Sequence, residues 1–174
     1  GMRVVIGEGI LDFPTPSIKN PEDSFDFVES LIQKWQGDGL VNCAITPHAP
    51  YTVSKQRLKK AKTLADKYSL KLHTHLSETA FEVEQSRTLH GKSPVKYLSD
   101  IGVLDQNTVA AHCVHFDEED TAIAFKTKMS VSHNPQSNMK LGSGIAPIQR
   151  YLDNGIRVGV GTDGVASNNN LNMF

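Results

Sequence analysis

Short apolar runs recur along the chain at the spacing of βα units, and side chains within several of them alternate between the two faces of a strand. Such runs predict strands, and strands that alternate with helices predict a parallel α/β sheet. The predicted strands are residues 3–10, 40–47, 70–76, 107–114, 128–133 and 156–162.

Residues that start and stop helices occupy the intervals between these strands. Asn20 and Pro21 provide an N-cap and a first-turn proline, and Gly91 follows a helical stretch as a stop. Two long loops are predicted at residues 11–19 and 134–145, and loops that follow strands carry the active site in such folds. The predicted helices are residues 20–36, 54–68, 79–90, 93–99, a segment from 117, and 146–154.

Three residues of the kind that binds metals come at the ends of three predicted strands. His75, His112 and Asp163 lie at the C-terminal ends of the runs LKLHTH, TVAAHC and RVGVGTD. Reactive side chains gather at this end of the strands in a parallel barrel, and two imidazoles with a carboxylate suit zinc or ferrous iron. The alternative is two core histidines and a loop aspartate, but the coincidence of three strand ends favours a metal site.

Glu78 follows His75 by three residues, in the order His-Leu-Ser-Glu. A carboxyl group at this place can exchange a proton with an activated water and act as a general acid or base. The alternative is a carboxylate at a helix start, favoured there by the helix dipole. His73 shares the strand face of His75 but lies ~6–7 Å lower, so we expect a packed core histidine there.

Three further side chains are candidates for contact with a substrate. His48 lies between two prolines in TPHAPYT, which predicts a rigid turn that aims its ring. His133 precedes Asn134 and Pro135 in a similar way, and Asn138 follows as a group available to polar ligands. For His48 and His133 the alternative is a capped turn without a role in binding.

Composition narrows the classes of partner. The 174 residues carry a net charge of −1, and no basic run indicates a nucleic acid or an anionic membrane as a partner. No apolar stretch approaches the ~20 residues of a membrane span. Cys43 and Cys113 form no CxxC pattern, which favours reduced thiols and a cytoplasmic setting.

The strings ITPHAPYT, HTHLSET, AAHCVH, SVSHNPQSNMKLGSGIAPI and GVGTDGVASNNNLNMF resemble the amidohydrolase superfamily, in its branch of 5′-methylthioadenosine/S-adenosylhomocysteine deaminases and related chlorohydrolases. The resemblance implies a (β/α)8 barrel of the TIM type with one divalent metal, zinc or alternatively iron. By it, His75 is a metal ligand and Glu78 the proton shuttle. His112 is a ligand or a hydrogen-bond partner of the metal water, Asp163 a ligand and general base, and His48 a substrate contact.

The chain departs from the family pattern in one large respect. The family carries an H-x-H ligand pair on its first barrel strand, and that pair is absent here, since His73 and His75 belong to the fifth-strand context. We therefore expect residues 1–174 to be a single segment that corresponds to strands three to eight of the barrel. The first two strands, the C-terminal helices and the small β-sandwich domain lie outside it. Such a segment is expected to be inactive alone and to associate into homo-oligomers.

The function that the resemblance implies is metal-dependent hydrolytic deamination of an adenosine-type or related N-heterocyclic substrate by the intact enzyme. One alternative is an s-triazine chlorohydrolase on the same fold. Another is a catalytically inert fragment or binding scaffold, which the missing H-x-H favours for this chain.

Overall fold

In the computed structural model, which describes residues 1–173, parallel strands alternate with helices along the sequence. The strands are β1 Val4–Ile6, β2 Gly9–Ile10, β3 Val41–Pro47, β4 Lys71–Leu76, β5 Thr108–His112, β6 Ser130–His133 and β7 Arg157–Val160. The helices are α1 Ser24–Trp35, α2 Lys55–Tyr68, α3 Ala80–His90, α4 Pro94–Asp100, α5 Glu118–Thr127, α6 Pro135–Leu141 and α7 Ile148–Asp153. A 3-10 turn at Pro21–Asp23 precedes α1.

The chain divides into two compact units, one of residues 1–74 and one that begins at His75. In the first unit, β3 pairs in parallel with β1 and β2 on one side and with β4 on the other. Val4 lies opposite Val41, and Ala44 lies opposite Lys71. Buried side chains of α1, α2, β3 and β4 form the core of this unit, among them Phe25, Val28, Ile32, Ile45, Leu58, Ala61 and Leu72.

The predicted strand 3–10 is interrupted, so that part of the prediction is wrong. A Cβ on Gly7 would lie 2.7 Å from Thr46 Cγ2 and 2.9 Å from the carbonyl oxygen of Ala44, which only glycine avoids. Here the Thr46 hydroxyl donates to the carbonyl oxygen of Glu8 at 2.6 Å, in place of a strand pairing. A side chain therefore replaces the backbone ladder for two residues, and β1 and β2 form separately.

Residues 11–19 form a loop without helix or strand, as predicted. Arg57 of α2 fixes its ends, because its guanidinium donates to the carbonyl oxygens of Leu11 at 3.2 Å and Pro21 at 2.8 Å. The same group donates to Ser24 Oγ at 2.7 Å and pairs with Asp12 at 3.1 Å. One planar group with several donors thus holds the loop against α2.

In the second unit, β5, β6 and β7 pair in parallel, with Ala111 opposite Ser132 and His133 opposite Val160. Side chains cap the helices that connect the strands. Thr79 caps α3 and Ser93 caps α4, and Asp117 forms a capping box with Asp120 at the start of α5. The core of this unit consists of buried side chains between the helices and strands, among them Leu76, Val95, Leu98, Val103, Ala110, Ala124, Met129, Val131 and Tyr151.

Two further expectations are corrected. Helix α6 occupies most of the predicted loop 134–145, with Pro135 in its first turn and Gly142 as its left-handed C-cap at a φ of +70°. His73 is exposed rather than packed, because it lies on the face of β4 opposite the buried Leu72, Thr74 and Leu76. Within residues 1–173, no helix combines the length and the apolar character that a membrane span requires.

Candidate metal centre

The three predicted ligands come together in the second unit. One nitrogen each from His75 and His112 and one carboxylate oxygen of Asp163 all lie within 4.8 Å of one another. The rings of His75 and His112 stack with centroids 5.4 Å apart and planes 22° from parallel. The structure therefore brings the ends of β4, β5 and β7 to one point, as the placement of these residues at strand ends predicted.

His112 is the most buried of the three, with 1 % of its surface exposed, and its ring orientation is fixed. Its Nδ1 lies 2.8 Å from Asn138 Oδ1, and because that oxygen can only accept, Nδ1 carries the hydrogen. The lone pair is then on Nε2, which faces Glu78 Oε2 at 3.7 Å and Asp163 Oδ2 at 3.9 Å. Asn138 thus selects the tautomer that a metal ligand requires.

Asp163 is held by three donors around its carboxylate. Ser137 Oγ and Ser167 Oγ each donate to Oδ2 at 2.7 Å, and the amide of Gly164 donates to Oδ1 at 2.8 Å. Burial raises the pKa of Asp163, but these donors and the neighbouring His112 outweigh it, so the pKa lies below its usual value. Asp163 is therefore a carboxylate at neutral pH and suited to bind a cation.

Two of the predicted ligands lie in left-handed backbone conformations, His112 at a φ of +71° and Asp163 at +61°. Neither residue is glycine, so each conformation costs about 1–3 kcal/mol and persists because the surrounding contacts impose it. Ser77, which precedes Glu78, has a φ of +49°. Strained backbone is concentrated at the ends of β4 and β5 and after β7, where the reactive side chains must turn toward one point.

Glu78 presents its two carboxylate oxygens to different neighbours. Oε1 accepts a hydrogen bond from Ser143 Oγ at 3.1 Å, while Oε2 faces His112 Nε2. Glu78 and Asp163 thus approach the same histidine nitrogen from two sides. This arrangement offers two carboxyl groups beside one reaction centre, one of which can donate a proton while the other accepts one.

Glu82 is a supporting residue that the sequence reasoning missed. Its carboxylate, 4 % exposed, accepts the amides of Ser77 and Glu78, each at 2.8 Å, and so fixes the turn that carries Glu78. Burial raises the pKa of Glu82, although the two amides oppose that shift. Thr79 and Glu82 have the spacing of a capping box, which is the signal that the sequence offers. The carboxylate, however, binds the amides one and two residues before Thr79 instead of the amide of Thr79 itself.

The predicted substrate contacts occupy different places. Asn138 is 1 % exposed and lies behind His112. His133 is partly buried at the end of β6, and burial, followed by the nearby His112, lowers its pKa, so it is a neutral imidazole at pH 7. His48 belongs to the first unit, where its Nδ1 lies 2.8 Å from Thr52 Oγ1 and its ring meets Tyr51 edge-on.

The donor set fits a divalent metal ion. Nε2 of His112 lies 3.7 Å from Glu78 Oε2 and 3.9 Å from Asp163 Oδ2, and a cation held among these groups would offset the repulsion between their electron-rich atoms. Two ligands of a tetrahedral zinc lie ~3.4 Å apart, so the 3.9 Å between His112 Nε2 and Asp163 Oδ2 needs to close by about half an ångström when the ion binds. Imidazole with carboxylate suits zinc or iron, and Asn138 supplies the hydrogen bond that usually orients a ligating histidine.

Known proteins resemble this chain in sequence and in structure. The chain is 47 % identical over 174 residues to a 5-methylthioadenosine/S-adenosylhomocysteine deaminase of Syntrophobacter fumaroxidans, with 100 % of this chain and 40 % of that protein covered. Residues 1–174 thus span about two fifths of the length of this curated relative.

Two solved structures that hold zinc superpose on almost the whole chain. An adenosine deaminase from Xanthomonas campestris with bound zinc matches with a TM-score of 0.94 and 34 % identity, covering 98 % of this chain and 39 % of that one. An atrazine chlorohydrolase from Arthrobacter aurescens TC1, complexed with zinc, matches with a TM-score of 0.89 and 25 % identity, covering 98 % and 40 %. The fold is the predicted α/β class, a partial (β/α)8 barrel of the TIM type.

The model of the amidohydrolase family matches residues 1–174 in full. The match extends over both units and includes all the ligand-type residues of the site. The chain therefore belongs to the amidohydrolase family.

Proposed function

We propose that residues 1–174 are part of an enzyme that hydrolytically deaminates an adenosine-type or related N-heterocyclic substrate with the help of a divalent metal. The observation that carries the proposal is the approach of two carboxyl groups, Glu78 at 3.7 Å and Asp163 at 3.9 Å, to one nitrogen of His112. The name of the relative at 47 % identity and that of the zinc-bound adenosine deaminase support this substrate class.

In this proposal, His75, His112 and Asp163 hold the metal ion. The zinc in the two similar structures supports zinc as its identity, and iron is the alternative that the ligand set also suits. When bound, such an ion supplies a Lewis acid that lowers the pKa of a water toward ~7.

The residues of the chain then move protons around the reacting carbon. Water adds to the ring carbon that bears the amine, Asp163 takes one proton of that water, and Glu78 gives its proton to the adjacent ring nitrogen. As the tetrahedral species collapses, Asp163 returns its proton to the amine, which leaves as ammonia. Glu78 recovers the second water proton as the carbonyl forms. Both carboxyl groups end in the state in which they began.

The extent of the segment is part of the same proposal. Residues 1–174 correspond to strands three to eight of a catalytic barrel, and the H-x-H ligand pair of the family's first strand lies outside them. The coverage of about two fifths of the deaminase relative supports this assignment. Homo-oligomer formation and a cytoplasmic location stay predictions, the latter motivated by the two unpaired cysteines, Cys43 and Cys113.

We further propose that His133 contacts the heterocyclic substrate, while Asn138 binds His112 and fixes its ring. A contact between the substrate and His48 stays a prediction. Taken separately, the half-buried rings of His48 and His133 support a contact role, because His48 directly follows β3 and His133 is the last residue of β6. The imidazole of His133 is neutral at pH 7, and Nδ1 of His48 is hydrogen-bonded to Thr52 Oγ1. The ring nitrogens of such histidines can donate or accept hydrogen bonds with a purine ring.

A chlorohydrolase is the second candidate, because the zinc-bound atrazine chlorohydrolase superposes with a TM-score of 0.89. Glu78 favours deamination, since an amine must be protonated before it leaves and chloride need not be. Release of chloride from atrazine, without release of ammonia from 5′-methylthioadenosine or adenosine, would identify the chlorohydrolase instead.

The experiment that tests the proposal is an ammonia-release assay on the full-length protein that contains residues 1–174. Glu78→Gln should lower kcat by ~10²-fold or more, because the amide cannot donate the proton that the ring nitrogen needs. Glu84→Gln, on the exposed face of α3, is the matched control and should leave kcat unchanged. Near-wild-type turnover of Glu78→Gln would refute the proton-transfer role.

A further inference from the structure

One oxygen of the Glu78 carboxyl group is held by a residue from a distant loop. Ser143, which follows α6, donates from Oγ to Glu78 Oε1 at 3.1 Å across 65 residues of sequence. The other oxygen, Oε2, is the one that faces His112 Nε2 at 3.7 Å. The two oxygens are therefore distinguished by their partners.

Ser143 is itself rigidly placed. Its side chain is buried, and its amide donates to the carbonyl oxygen of Asn138 at 2.9 Å. The next residue, Gly144, has a φ of +116°, and a Cβ there would lie 3.0 Å from Val114 Cγ1. Only glycine tolerates this conformation and this approach, so the backbone after Ser143 is tightly constrained.

His115 connects Ser143 to the turn that carries Glu78. Its Nε2 lies 2.8 Å from the carbonyl oxygen of Ser143, which can only accept, so the ring donates. Its backbone amide donates to the carbonyl oxygen of Ser77 at 3.0 Å. The ring of His115 is partly buried and bridges two loops. One residue thus contacts both the residue before Glu78 and the serine that binds its carboxyl group.

We propose that Ser143 and His115 are positioning residues that make Oε2 of Glu78 the oxygen that carries and exchanges the proton. This inference rests on the proposed function. Because the Ser143 hydroxyl donates to Oε1, a proton on the Glu78 carboxyl group resides on Oε2, on the side of His112. Without that hydroxyl the carboxyl group can rotate about its last bond and exchange the two oxygens.

The inference predicts a selective effect on turnover. In the full-length zinc-loaded protein, Ser143→Ala should lower kcat by about tenfold or more, since misdirected proton transfer slows chemistry. KM for 5′-methylthioadenosine should stay within about twofold of wild type, because ground-state binding is not altered. Ser143→Thr, which retains the hydroxyl, should recover most of the loss, and zinc content should be unchanged in both variants.

A double-mutant cycle tests whether His115 acts through Ser143. His115→Phe removes the donor and keeps a planar ring, and His115→Gln restores a donor. His115→Phe should lower kcat clearly in the wild-type background and little further in Ser143→Ala, because both changes remove one interaction. His90→Phe, at an exposed histidine stacked on Tyr97, is the matched control and should leave kcat unchanged.

Crystal structures of the variants separate this inference from the proposed function. If wild-type protein releases no ammonia, the proposed function fails, and the position of Glu78 alone decides the inference. It is supported if the carboxyl group of Glu78 loses its single orientation in Ser143→Ala. It is overturned if Oε2 stays 3.7 Å from His112 Nε2 in that variant, or if an active Ser143→Ala enzyme keeps the wild-type kcat.

Discussion

At the scale of the residue, His112 has polar side chains close to both nitrogens of its ring. Its Nδ1 is bound to Asn138, and its Nε2 faces Glu78 and Asp163. A histidine in this position can serve the metal only while the hydrogen stays on Nδ1. In the proposed metal site, the orientation of His112 therefore depends on its hydrogen bond to Asn138.

Replacement of Asn138 should weaken zinc binding. We expect Asn138→Leu to lower the affinity for zinc by ~10–100-fold, because the ring of His112 loses the partner that fixes its tautomer and orientation. Asn138→Asp keeps an acceptor oxygen in the same place and should retain the affinity. Competition with a chromophoric chelator measures both variants, and an unchanged zinc affinity of Asn138→Leu would contradict this role.

The sequence predicted that three metal-type residues lie at strand ends, but it did not predict the contacts that Asn138 and Glu82 make with the candidate site. His75, His112 and Asp163 could be found because strand ends in a parallel sheet have a known polarity. Asn138 binds the ring of His112, which lies 26 residues earlier in the sequence. Glu82 binds the amides of Ser77 and Glu78, which lie 5 and 4 residues earlier. Such contacts depend on how a side chain turns in the folded protein, which neither periodicity nor spacing specifies.

At the scale of the elements, a buried carboxylate in the first turn of helix α3 binds the backbone that precedes the helix. Glu82 lies in the first turn of α3 and accepts the amides of Ser77 and Glu78, so the helix and the turn before it form one unit. The free N–H groups at a helix start usually bind a cap, but here a side chain of the helix serves the N–H groups that precede it. The orientation of Glu78 thus depends on the first turn of α3.

Loss of the Glu82 carboxylate should destabilise the protein. Glu82→Ala leaves two buried N–H groups without their acceptor, and we expect the free energy of unfolding to fall by ~2 kcal/mol. Burial of the carboxylate raises the pKa of Glu82, which means that the buried charge is unfavourable. Its removal therefore offsets part of the loss in the free energy of unfolding. Urea denaturation measures the change, and exposed Glu84→Ala is the control. A midpoint of Glu82→Ala equal to that of the control would contradict the account.

The sequence also predicted most elements, and the two errors have physical causes. Gly7 approaches β3 too closely for a continuous strand. Such an approach depends on the tertiary structure, which the local sequence pattern does not specify. Helix α6 is only 7 residues long, so it has too few turns to show a helical period. Its start at Asn134 and Pro135 and its stop at Gly142 are helix signals that the sequence contains.

At the scale of the whole molecule, the alternation of strands and helices predicted the fold class, and the zinc-bound adenosine deaminase from Xanthomonas campestris confirms it with a TM-score of 0.94. The metal-type residues of the candidate site lie in the unit that begins at His75. Residues 1–174 supply three ligand-type residues, and we propose that the remaining ligands of the family pattern come from outside them. The account therefore depends most on whether this site works through a metal.

Removal and return of the metal test that claim most directly. Full-length protein is dialysed against dipicolinate, its zinc and iron are quantified, and ammonia release from 5′-methylthioadenosine is measured before and after one equivalent of zinc is added. The account predicts that activity disappears with the metal and returns with zinc, while His75→Ala protein does not recover. Ammonia release that continues undiminished in metal-free protein would contradict the account.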